Sequence, residues 1–105
     1  LTKPLKLPNE VIVIKIIFSQ KAQTQLCEHA RFIYEQSKNP RIADAYLDKM
    51  RDYIVNTLSH FPKAGRPSDE IIEKSRKLVY QSFSIIYTVG AEHVEILLLY
   101  CENLL

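Results

Sequence analysis

Ile12, Ile14, Ile16 and Phe18 place an apolar side chain at every second position, while Val11, Val13 and Ile17 share the alternate face with Lys15. That alternation predicts a mostly buried β-strand over residues 11–18. Ser19 follows directly, and its hydroxyl can accept a hydrogen bond from an unpaired backbone N–H in the first turn of a helix. From Ala22 the apolar positions become Leu26, Ala30, Ile33 and Tyr34, the spacing that lines one side of an α-helix ending near Ser37. Asn39 and Pro40 restart the chain, since Asn caps well and Pro is tolerated at the first helical position. A second amphipathic stripe runs through Ala43, Tyr46, Leu47, Met50, Tyr53, Ile54, Leu58 and Phe61, until Pro62 and Gly65 break it. Two helices joined so tightly are expected to pack as an antiparallel hairpin.

After a polar link from Lys63 to Lys74, three segments read as strands: Arg76 to Tyr80, Phe83 to Val89, and His93 to Tyr100. Gln81-Ser82 and Gly90-Ala91-Glu92 between them are short enough for hairpins. The expected fold class is therefore α+β, in the order β-α-α-β-β-β, with the helical hairpin packed on one face of a mainly antiparallel sheet. Leu26, Ile33, Leu47, Met50, Ile54 and Leu58 are the expected packing residues. Residues 1–105 are read as a single domain, with 1–10 as a loose N-terminal arm.

Composition narrows the class. Apolar residues make up 47% and charged residues 25% of the 105 residues, which describes an ordered chain. The formal charge of +2 is far from the dense positive charge of phosphate-driven binding, so no direct sequence-specific nucleic-acid binding is expected from the chain alone. The longest apolar run, Val11 to Phe18, contains Lys15 and is too short to cross a bilayer, and no secretory pattern is visible. Cys27 and Cys101 show no CxxC or Cys/His spacing, and His29, His60 and His93 share no metal spacing. No metal and no cofactor is expected, and two reduced thiols in a cytoplasmic protein are the simplest reading.

The order of short motifs resembles the ParE/RelE superfamily of type II toxin–antitoxin toxins, over nearly everything from Ile16 to Tyr100. The strand ending in Phe18-Ser19 is followed by Ala22 and Leu26, Ile33-Tyr34 and Ala43. The exit Leu58-Ser59-His60-Phe61-Pro62-Lys63-Ala64-Gly65-Arg66 looks like the family's L-x-x-x-P-x-x-G-R segment. Arg76-Lys77-Leu78 and Phe83-Ser84-Ile85-Ile86-Tyr87-Thr88-Val89 are similar to its R-x-L and Y-x-I-x-Y-x-V strands. The resemblance implies a cytoplasmic, growth-inhibiting toxin of the plasmid-stabilisation type, held in check by a cognate antitoxin. It departs from the family's frequent pattern of a His followed by basic residues after the last strand, and from the cluster of basic strand residues with a terminal basic or aromatic group that the ribonuclease members carry. Here that place holds Tyr100-Cys101-Glu102-Asn103-Leu104-Leu105, and no Arg or Lys follows Lys77. The ParE-like side fits better, and its members inhibit DNA gyrase by binding.

Four residues are candidates for contacting the target or the antitoxin: Arg66, Arg76, Lys77 and Tyr87. A guanidinium at Arg76 can fork onto a phosphate or an antitoxin carboxylate, or close the sheet through a structural salt bridge. Arg66 after Gly65 reads either as a contact or as a solvated loop cation. Tyr87, mid-strand, reads as core or as a contact whose hydroxyl wants a partner. Arg76 and Lys77 alternate to opposite strand faces and do not readily converge on one scissile phosphate. No catalytic residue is assigned. Three functions remain open: a gyrase-type inhibitor, a RelE-like messenger-RNA endoribonuclease, and an inactive binding-only relative.

Overall fold

The structure is a computed structural model in which residues 14–101 are described. The N-terminal arm, the strand positions before Ile14 and the tail Glu102-Asn103-Leu104-Leu105 lie outside the described residues. The elements are β1 (Lys15–Phe18), α1 (Gln20–Ser37), α2 (Pro40–His60), β2 (Arg66–Pro67), β3 (Arg76–Tyr80), β4 (Phe83–Val89) and β5 (His93–Cys101). They build one sheet in the order β1-β5-β4-β3-β2. β1 runs parallel to β5 and the remaining neighbours are antiparallel.

Capping sets the helix boundaries where the sequence placed them. Ser19 Oγ accepts from Ala22 N at 3.0 Å, and Asn39 Oδ1 accepts from Arg41 N at 2.9 Å with Pro40 at the first helical position. Lys38, between the helices, takes a left-handed φ of 57° and donates its N–H to Tyr34 O. The β3–β4 turn likewise places Gln81 at φ 55°, which suits the twist of a two-residue hairpin.

The core joins Leu26 of α1 and Met50, Ile54 and Leu58 of α2 to Leu78, Ile85, Tyr87, Val94, Ile96 and Leu99 of the sheet. Leu47 packs against this cluster only partly buried, and Ile33 is half-buried outside it. The expectation for Ile33 is thus corrected. Ala22 and Leu26 are the buried residues of α1, and the helix continues for two more turns beyond the contact of His29 with Phe83 at the start of β4.

Two features escaped the alternating pattern. β2 is only two residues long and exposed, so no apolar period marks it; it pairs Arg66 with Lys77 and Pro67 with Arg76. β5 carries a bulge: Tyr87 pairs with Ile96 but Ile86 pairs with Leu98, which leaves Leu97 unpaired on that side. The extra residue shifts the period by one, so that Val94, Ile96 and Leu99 all reach the core. Ser19 stitches this point, its N–H donating to Ile96 O at 2.9 Å and its hydroxyl to Leu97 O at 3.0 Å. Beyond the end of β1, Gln25 Oε1 accepts from Leu99 N at 2.7 Å, so a helix side chain replaces a strand partner.

Candidate functional site

The register brings all four candidate residues to one corner of the sheet and divides them between its faces. Arg66 stands opposite Lys77, and Arg76 opposite Tyr87. Adjacent strand positions alternate in direction, so Arg76 and Tyr87 share the helix side while Arg66 and Lys77 share the other.

Arg76 and Tyr87 form a clasp on the chain leaving α2. Tyr87 is 0% exposed and its hydroxyl accepts from Gly65 N at 2.8 Å. Arg76 Nε donates to Gly65 O at 2.7 Å, and a terminal guanidinium nitrogen donates to Lys63 O at 3.2 Å. Only glycine fits between them: a Cβ on Gly65 would lie 2.6 Å from Lys77 O and 2.9 Å from Tyr87 Oη. Burial pushes the Tyr87 phenol above its ordinary value, opposed by the Gly65 N–H and the neighbouring Arg76. A phenol that is buried and reluctant to ionise is a poor proton acceptor near neutrality.

On the other face Arg66 is exposed. Its guanidinium donates to Pro67 O at 3.0 Å and pairs with Glu70 Oε2 at 3.3 Å. The Glu70 carboxyl sits below its usual range, held there first by a backbone N–H of its own residue and then by Arg66. A pair this exposed contributes little to stability. Lys77 lies beside it, half-buried, and adds to the positive field at Glu70.

A second cluster was not visible in the sequence. The His29 ring centroid lies 4.0 Å from that of Phe83 and 5.1 Å from that of Tyr46, so one imidazole links α1, α2 and β4. Its Nε2 is buried without a partner, and burial lowers its pKa. Beside it an apolar cavity of about 270 Å³ lies between α1 and the ends of β4 and β5, bordered by Gln25, Phe32, Phe83 and Leu99. The three-to-four spacing from Leu26 through His29 to Ile33 was the available signal. His60 instead bonds Asn56 O at 2.8 Å through Nδ1, one turn back along α2. Among the described residues no group of His, Cys, Asp and Glu is arranged to hold a metal ion.

The profile of a family described as ParE toxin of type II toxin-antitoxin system, parDE, matches residues 16–100. No curated protein matches the sequence. Among solved structures, one similar chain belongs to the chromosomal ParDE TA system from P. aeruginosa, with a TM-score of 0.72 at 22% identity over 85% of this chain and 96% of that one. Another belongs to the toxin-antitoxin complex RelBE2 from Mycobacterium tuberculosis, with a TM-score of 0.62 at 18% identity over 88% of this chain and 94% of that one. At such identities the structures speak for a shared fold, and the profile match carries the family.

Proposed function

The chain belongs to the ParE toxin family of type II toxin–antitoxin systems, and on that premise we propose that it arrests growth by binding an essential cytoplasmic machine such as DNA gyrase until a cognate antitoxin neutralises it. The observation that carries this reading is the clasp. Cleaving RNA through its 2′-hydroxyl needs a base, cations for the charge that builds on the phosphate, and an acid for the leaving oxygen. Arg76 places two of its five N–H donors on Gly65 O and Lys63 O, which holds its guanidinium against the loop, and Tyr87 is buried behind it. Arg66 and Lys77 stand on the opposite face, with Arg66 paired to Glu70. Side chains divided in this way support recognition by a surface over chemistry at a point.

The antitoxin is expected to bring a segment that orders on binding and buries apolar side chains against this domain. Inducible expression with and without the neighbouring reading frame, followed by supercoiling and messenger-RNA integrity assays, tests the proposal. Growth arrest with failed supercoiling and intact messenger RNA is the expected result. Site-specific cuts on translating ribosomes that vanish in a folded Arg76→Ala variant would place the chain with the RelE-like endoribonucleases, and absence of any growth arrest would leave a binding-only relative.

A further inference from the structure

Phe61, at the C-terminal cap of α2, is 68% exposed, more than any other large apolar side chain among the described residues. A single exposed apolar residue is ordinary. The loop beneath this one is not, because its backbone is pinned at nearly every residue. Phe61 N donates to Thr57 O at 2.7 Å and Ala64 N to Phe61 O at 2.9 Å. Arg76 holds Lys63 O and Gly65 O, Tyr87 holds Gly65 N, and Pro62 fixes its own φ. A loop already ordered loses little conformational entropy when a partner covers it, which makes an exposed aromatic there an efficient anchor.

Phe61, Pro62, Ala64 and Val89 border a shallow apolar depression with His60 and Lys63 on its rim. From Tyr53 through Ser68 the sequence contains no Asp or Glu, and its charged residues there are Lys63 and Arg66. Arg66 is committed to Glu70, whereas the Lys63 ammonium makes no ion pair among the described residues.

We infer that Phe61 and this depression are a docking site for an apolar segment flanked by carboxylates, carried by the antitoxin. This rests on the toxin–antitoxin reading above and adds where the partner sits and what chemistry it presents. Nucleic acid fits the site less well, since one apolar depression with one lysine on its rim lacks the array of cations that phosphates require.

The test uses the full chain and the purified product of the neighbouring antitoxin reading frame, titrated by calorimetry, with thermal melts of each variant alone. Phe61→Ala is expected to weaken binding by about tenfold or more with an unchanged melting temperature. Lys63→Glu is expected to weaken it most at low salt, the difference shrinking as salt rises. If Phe61→Ala melts lower, Phe61→Lys, which suits an exposed position, is judged by the same affinity criterion. Affinity within about twofold of wild type in the folded Phe61 variant overturns the docking site and leaves the toxin reading standing. A wild-type chain that does not bind the antitoxin overturns both. Loss of duplex-DNA affinity in Phe61→Ala with antitoxin binding intact overturns the inference in favour of a nucleic-acid surface.

Discussion

Removing one oxygen isolates the clasp. Tyr87→Phe keeps the ring in the core but deletes the acceptor that Gly65 N reaches at 2.8 Å. Gly65 is itself buried, so its N–H is left without a partner, a loss of about 1–3 kcal/mol. In a domain of this size each kcal/mol moves the melting temperature by roughly 4–8 °C. Gly65→Ala attacks the same point sterically, because the Cβ would meet backbone oxygen at 2.6 Å and the β2–β3 edge must move. The double variant should cost less than the sum of the two, since both break one contact. The phenol adds a pH signature. The folded state holds the Tyr87 proton more tightly than the unfolded chain, whose value is 10.0, so its contribution is complete below pH 10 and is lost as pH rises above it. Burial raises Tyr46 in the same direction, so the part due to Tyr87 is the difference between wild type and Tyr87→Phe. Urea unfolding at pH 7 and pH 10.5 measures both effects. An unchanged midpoint at pH 7 in Tyr87→Phe would show that the clasp does not hold the loop.

Ser19→Ala removes a helix cap together with the donor to the bulge carbonyl of Leu97, and should cost about 1–2 kcal/mol in urea unfolding. Ile54→Ala should cost roughly 2–5 kcal/mol because Ile54 is completely buried, and Leu47→Ala clearly less because Leu47 lies at the edge of the core; equal losses would contradict this placement. Burial depresses the His29 pKa below its ordinary 6.5, so its contribution is complete above that value and is lost as pH falls through the lower folded value. Melting curves from pH 7.5 to pH 5 should therefore decline less in His29→Phe than in wild type.

The period of the sequence carried most of the fold because most elements obey one period from end to end. Both helices begin at the serine and asparagine caps and keep one apolar stripe, and β3 and β4 span the expected Arg76–Tyr80 and Phe83–Val89, although the first five residues of β4 are all buried. The sequence failed where a local irregularity resets the phase or no apolar residue marks a pairing. Leu97 gives no sign in the run Ile96-Leu97-Leu98-Leu99 that one leucine is extra, since every residue there is apolar. Arg66-Pro67 pairs through its backbone alone, and backbone pairing of two exposed residues leaves no mark in side-chain pattern.

The candidate residues could be named from the sequence but the contacts each one makes could not, for a physical reason. A strand arginine with a free guanidinium and one that grips two carbonyls have the same neighbours in sequence. What separates them is a contact across 11 and 13 residues, from Arg76 to Gly65 and to Lys63. In sequence, Gly65 before Arg66 reads as a residue that supplies an unusual backbone angle, yet no glycine among the described residues has a positive φ, and what the missing side chain allows is close approach. The approaching groups turned out to be Tyr87 and the carbonyl of Lys77. With Arg76 and Tyr87 turned inward, the residues presented outward are those of the gripped loop and of the helix end that leads into it. Phe61 and Lys63 lie there, in a stretch that hydrophobic periodicity had assigned to the end of a helix stripe and the start of a polar link.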